Sequence, residues 1–181
     1  INLGFGEESK YCLKANWIDK THARNIVTAR ITSDIQKKYN LFTDTPNNGL
    51  IDGFPVEIYI NNTFLGIYTW NIPKDEWMFN MDKNNPNHIV LSGNNCSNST
   101  YFKDYATLED WEIEVGPQTE ETLNKFNRVL EFIFTSTDKE FKENFENYLN
   151  LDATLNYFVM LNIAELFDNT SKNVLMITYD G

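Results

Sequence analysis

A chain of 181 residues with 41% hydrophobic and 14% aromatic content can bury a core as one domain or two small lobes, which excludes a disordered segment. Its formal net charge of −11, with Lys and Arg nowhere clustered, argues against a nucleic-acid partner, because a phosphate backbone rewards grouped cations. The two cysteines, Cys12 and Cys96, stand far apart with no histidine at metal-ligand spacing, which excludes a zinc module and a disulfide-dense scaffold and leaves a single disulfide open.

In chain order, INLGFGEESK lacks the basic-then-apolar pattern of a signal peptide, and no stretch is apolar and long enough for a membrane span. Residues 10–17, KYCLKANW, alternate apolar Tyr11, Leu13 and Ala15 with Cys12, Lys14 and Asn16, the pattern of a half-buried strand. A helix is expected to start at 19–21, its inner stripe formed by Ala23, Ile26, Val27, Arg30, Ile31 and Ile35. Asn47, Asn48 and Gly49 break it.

Residues 54–71 form a hairpin in this reading. Val56, Ile58 and Ile60 alternate with Glu57 and Tyr59, and a turn at Asn61 and Asn62 leads into Phe64 to Trp70. Residues 82–100 are rich in Asn and Ser, with loops expected around a short strand at 88–92. The Asn-X-Ser/Thr triplets in so Asn-rich a chain carry no glycosylation reading. Trp111, Glu112 and Glu114 alternate like a strand, their carboxylates a solvated face; a glycosidase-like acid pair is the remote alternative.

After Gly116-Pro117 the pattern turns helical. One helix is expected from Thr119 with Leu123, Phe126, Val129, Leu130, Ile133 and Phe134 inside. A shorter one carries Phe141, Phe145, Tyr148 and Leu149, and a third, after Asp152, is apolar nearly all round and belongs in a core. The class is α+β, with a sheet-rich first half and a helical second half.

The helix exit is FDNTSKN, followed by VLMITYDG. A carboxylate ending a buried helix needs a task or a partner, so Asp168 stands out, with Asn173 five positions on at the mouth of a strand. Kinase catalytic loops use an Asp and an Asn at that separation, the Asp orienting or deprotonating the attacking hydroxyl and the Asn holding a metal ion. Lys172 would neutralise the transferred phosphoryl group. Equally, Asp168-Asn169 suits an ordinary helix exit with Asn in a left-handed conformation.

Three blocks, LKANWIDKTHARN (13–25), NNGLIDGFPVEIYINNTFLGIYTWNIPKDEWMFNM (47–81) and DNTSKNVLMITYDG (168–181), are similar to the spore-coat protein H (CotH) kinase family of atypical protein-kinase-like proteins. The likeness spans most of the chain and is weakest over 84–139. It implies a protein-kinase-like fold: a sheet-rich small lobe over 1–81, an irregular insertion over 82–118 and a helical lobe over 119–181. It also implies ATP with Mg or Mn, and transfer of the γ-phosphate to Ser or Thr of a protein, in the spore coat or at a cell surface. Asp168 matches the catalytic Asp and Asn173 the metal-binding Asn. Lys14 is the candidate phosphate-binding lysine, or a solvated strand lysine. The helix after it offers Asp34 and no Glu, so the ion pair usual in kinases lacks its carboxylate. Arg24, in THARN with His22 and Asn25, is a candidate phosphate ligand or a helix-surface cation. Trp70 and Asn71 open the expected hinge beside adenine; Trp70 and Trp77 serve equally as core aromatics.

In the family a second metal-binding Asp follows the last strand, and a glycine-rich phosphate loop precedes the first. Gly4 and Gly6 are only a suggestion of the latter. The expectation is therefore an incomplete fragment of a kinase domain, nearly inactive by itself, with ATP and metal held by its parent. The rival is a non-catalytic kinase-like module for assembly on a spore, cell or phage surface. A carbohydrate-associated domain is the weaker third reading.

Overall fold

The computed structural model describes residues 8–181, so Gly4 and Gly6 lie outside the described residues. The chain divides into two units, residues 1–80 and 81–181. Each is built on its own three-stranded antiparallel sheet.

In the first unit the strand order is β1-β3-β2, with β1 Cys12–Lys14, β2 Gly53–Ile60 and β3 Thr63–Asn71. The expected hairpin forms. Asn61 and Asn62 take φ of 49° and 63°, the left-handed pair that a two-residue turn requires and that Asn tolerates best after Gly. The register slips between Ile58 and Tyr59, and beyond that bulge Ile60 is 57% exposed, although alternation grouped it with the half-buried Val56 and Ile58.

Strand β1 is shorter than the sequence suggests, and its apolar set is not the better covered one. Leu13 is 48% exposed and Ala15 is exposed, while Cys12, Lys14 and Asn16 are sheltered. The cause is the register: Cys12 stands opposite Asn71 and Lys14 opposite Thr69, and that face carries the hydrogen-bonded chain segment before the helix. Alternation separates two faces of a strand without saying which one is covered.

Helix α1, Arg24–Lys38, begins later than expected and is turned relative to its expected stripe. Ile26 is inside, but with Ala29, Thr32, Ser33 and Gln36, and Val27 and Ile31 are about half exposed. A polar stripe faces inward because a polar partner meets it. The 3-10 turn Pro46–Gly49, with Asn47 and Asn48 at positive φ, presents Asn48, whose Oδ1 accepts a bond from Ser33 Oγ at 2.9 Å.

The second unit has the order β5-β4-β6, with β4 Ile89–Gly93, β5 Trp111–Val115 and β6 Val174–Thr178, and helices α2 Glu120–Thr135, α3 Asp138–Asn144 and α4 Leu151–Ile163. The chain is thus α+β. The second half is not purely helical, and residues 82–118 supply two of its three strands, including the central β4, instead of standing apart as an insertion. Every residue of β4 is buried.

On one face of this sheet Ile89, Leu91, Trp111, Ile113 and Val174 pack against Leu123, Phe126 and Leu130 of α2, whose inner stripe falls where the 3.6-residue period puts it. Trp111 is 1% exposed, lies edge-on to Phe126 at 4.7 Å between centroids, and donates its indole N–H to Ser99 Oγ at 3.2 Å. Glu112, on the opposite face, accepts from Asn94 Nδ2 at 2.8 Å, so it belongs to the solvated face. Helix α3 starts with a reciprocal capping box between Thr137 and Glu140, and Phe132 stacks on both Phe141 and Tyr148.

Helix α4 departs furthest from expectation. It is capped by Asn150, whose Oδ1 accepts from the Ala153 amide, but it is not a core helix. Only Met160 is buried; Leu155 is 51%, Phe158 62%, Ile163 69% and the following Phe167 75% exposed. The core face of the sheet is covered by α2, and α4 packs chiefly on the 3-10 turn Phe167–Thr170 that follows it. An all-round apolar sequence shows that a helix avoids water, not what shields it.

Gly93 leaves no room for a side chain. A Cβ there would lie 2.9 Å from Val174 Cγ1 and 3.4 Å from both Thr100 Cγ2 and Trp111 Cη2. Gly93→Ala should therefore destabilise the chain by about 1–3 kcal/mol through overpacking. Denaturant unfolding followed by far-ultraviolet circular dichroism would measure it, and an unchanged midpoint would contradict this account of the core.

Candidate functional site

The residues singled out in the sequence fall in both units. In the first, the register places Lys14 opposite Thr69 on the face that also bears Asn71, whereas Trp70 stands opposite Leu13 and packs against Tyr11 at 5.3 Å on the other face. Lys14 and Asn71 therefore share a face and Trp70 does not join them. Asn71 is 2% exposed, and its side-chain oxygen finds no hydrogen-bond donor among the described residues. The backbone around the expected hinge is already used: the Ile72 amide donates to the Asp52 carbonyl at 3.1 Å, and the Asn71 and Ile72 carbonyls face the Cys12 thiol. Trp77 is half-buried.

Thr69, missed in the sequence, ties this face together. It is 1% exposed, donates to the His22 carbonyl at 3.1 Å and accepts from Asn16 Nδ2 at 2.6 Å. His22 takes φ 54°, and the turn it closes feeds α1. At that helix start Asp19 does the capping from four and five residues away. Its carboxylate accepts the amides of Ala23 at 3.0 Å and Arg24 at 2.9 Å, together with the Thr21 hydroxyl at 2.6 Å. Those bonds, the Thr21 hydroxyl foremost, pull the Asp19 carboxyl down to about 2. The helix N-terminus, an anion-binding position in general, is thus occupied by the chain's own carboxylate. Arg24 is 78% exposed, with its Nε 3.8 Å from Asp19, and stands as a helix-surface cation. Asp34 is 80% exposed and pairs with Lys37, so α1 turns no carboxylate toward Lys14.

In the second unit one short turn brings Asp168, Lys172 and Asn173 together. The Asp168 carbonyl accepts the amides of Ser171 at 3.3 Å and Lys172 at 2.8 Å, curling the chain around it, and the Asn173 amide donates to the Gly93 carbonyl at 2.7 Å, which docks the turn onto β4. Asn173 has φ 57°, a left-handed position that suits Asn and re-aims the chain into β6. The side chains of Asp168, Lys172 and Asn173 are exposed. Asp168 is therefore not the stranded carboxylate of a buried helix, and its claim rests on its place in the turn. Ser171, 1% exposed, contacts Cys96 Sγ through its hydroxyl at 3.5 Å, and the Tyr157 hydroxyl of α4 donates to the Asn169 carbonyl at 2.6 Å. Cys12 and Cys96 are both free thiols.

Asp168 and Asn173 offer oxygen donors, the kind that hard divalent cations take. Among the described residues no three His, Cys, Asp or Glu side chains cluster as a ready-made metal cage. This donor set fits a Mg²⁺-like ion that arrives with phosphate oxygens and keeps several waters, since such ions need only one or two protein carboxylates. No helix among the described residues is long and apolar enough to cross a membrane.

The family model described as CotH kinase protein matches residues 2–181. No curated protein matches the chain.

The capping by Asp19 has a pH signature. Its folded-state value is lowered from the ordinary 3.8 to about 2, so the stability it lends is present above the ordinary value and is lost as pH falls through about 2. Asp19→Asn should abolish that part of the acid dependence and fray the first turn of α1. Circular dichroism melts at stepped pH would show it, and identical acid profiles for both chains would refute it.

Proposed function

The chain belongs to the CotH kinase family, and from that premise we propose that it carries the residues of a phosphotransfer domain that moves the γ-phosphate of ATP to a Ser or Thr hydroxyl of a protein. The observation that carries this reading is the turn 168–173, which hangs a carboxylate, an ammonium and an amide oxygen together between a helix and a docked strand. Phosphoryl transfer asks little covalent chemistry of a protein. It needs the acceptor positioned and the charge on the phosphoryl oxygens neutralised, and these three groups suit those tasks. Asp168 orients the acceptor hydroxyl and takes its proton. Asn173, with Asp168, would hold a magnesium or manganese ion, which when bound supplies neutralisation of phosphate charge. Lys172 stabilises the charge on the transferred group. In the first unit Lys14 is the phosphate-binding lysine of this reading, and the unsatisfied Asn71 oxygen offers an acceptor to a nucleotide amino group. Arg24 and Trp70 drop out of the nucleotide role, being respectively a surface cation and a residue of the opposite strand face.

A second reading, an assembly module of a spore, cell or phage surface that neither binds nor needs ATP, draws on the exposed apolar surface of α4 and Phe167. Calorimetric titration of ATP into the chain, with and without Mg²⁺ or Mn²⁺, separates the two. Metal-dependent binding, weakened at least roughly tenfold by Asn173→Ala, is expected. Asp168→Ala should cut any phosphate transfer to a protein acceptor by roughly 10²–10⁴ while leaving nucleotide binding measurable. A folded chain that takes up no metal–ATP would favour assembly over catalysis.

A further inference from the structure

The turn that carries Asp168 and Asn173 is fixed at its far end by the Asn173 amide on Gly93, but Asp168 itself lies in an exposed 3-10 turn, Phe167–Thr170, after an exposed helix. Between these points Tyr157, one residue before the most open part of α4, reaches across to the Asn169 carbonyl at 2.6 Å. We propose that Tyr157 is a positioning residue: its hydroxyl clamps the Asn169–Thr170 peptide inside the turn, and so holds Asp168, on one side of it, in register with Asn173, on the other, the two oxygen donors that would receive a divalent cation and its phosphate ligands. This inference rests on the phosphotransfer reading above.

Three observations support it. First, Tyr157 lies one turn before Met160, the buried residue of α4, so its ring borders the inward side of the helix while Leu155, Phe158, Val159 and Ile163 stand 47–69% exposed on the others. Second, the bond is to main chain. A phenol has few rotatable bonds, and a donor held at the Asn169 carbonyl of the six-residue turn 168–173 restrains ψ of Asn169 and φ of Thr170, one peptide on from Asp168. Within the turn the Asn169 amide donates to the Leu166 carbonyl and the Ser171 and Lys172 amides to the Asp168 carbonyl; the Leu166 amide joins this segment to the end of α4 at the Leu161 carbonyl, and Tyr157 adds a side-chain tie from one turn further back in the helix. Third, desolvation pushes the Tyr157 phenol up to about 12, so it stays a donor at every pH at which a kinase would work.

The test is Mn²⁺ affinity in the presence of ATP, read from the electron paramagnetic resonance of free Mn²⁺, for the chain, Tyr157→Phe and Phe158→Ala. The phenylalanine variant keeps the ring and loses only the hydroxyl. Phe158→Ala removes a ring of α4 that is 62% exposed. Tyr157→Phe should bind Mn²⁺ roughly tenfold more weakly, with an unchanged melting temperature, while Phe158→Ala binds like the parent sequence. In the metal-free chain the Lys172 amide should exchange faster in Tyr157→Phe by nuclear magnetic resonance. Full affinity in Tyr157→Phe, or an equal loss in Phe158→Ala, overturns the positioning role while leaving the phosphotransfer reading standing. Failure of the folded parent sequence to bind Mn²⁺ with ATP overturns that reading itself, and the clamp with it.

Discussion

The second unit depends on the side chain that Gly93 lacks. At the end of the central strand it lies between Trp111 on one neighbouring strand and Val174 on the other, with Thr100 closing the space. That gap admits the largest ring of the core, and Trp111 then organises Phe126 and the inner stripe of α2. The same residue's carbonyl receives the Asn173 amide, so the point where the core is tightest is also where the candidate turn is anchored. Close packing resists displacement in a way that a loop cannot, so this end of the turn inherits rigidity from the core.

In the first unit a polar knot plays the corresponding part. Thr69, Asn16 and the His22 carbonyl join β3, the residues after β1 and the approach to α1 by hydrogen bonds centred on the buried Thr69 hydroxyl, while Asp19 completes the helix start. Groups so enclosed are costly to leave unpaired, which makes the register of β1 against β3 specific despite its three-residue length. The unsatisfied oxygen of Asn71 departs from that pattern on the same face as Lys14.

The two ends of the candidate turn differ in kind. Asn173 is held by the sheet, and Asp168 by a helix that the sheet does not cover. A helix with Met160 as its only buried residue gives modest support, so a side-chain bond from it, such as the one from Tyr157, weighs more than it would in a packed interior. The exposed apolar surface of α4 and the candidate site thus meet at one place in the fold, where assembly and chemistry would draw on the same helix.

Local chemistry was decided by the sequence alone. The Asn61-Asn62 turn, the start of α2 at Thr119, its inner stripe and the likeness to CotH kinases follow from residues close together in the chain, or from runs read as one block. The α+β class follows from them. Only the tertiary structure decided which face of β1 is covered, that α1 buries Ser33 and Gln36 instead of Val27 and Ile31, that α4 lies open, and that Thr69, Gly93 and Tyr157 matter to the candidate residues. The physical reason is shared by all of these. Periodicity states that an element has two unlike faces, but the choice of face is made by a partner distant in sequence, and neither Asn48 for Ser33 nor α2 for the sheet can be read from the element it covers.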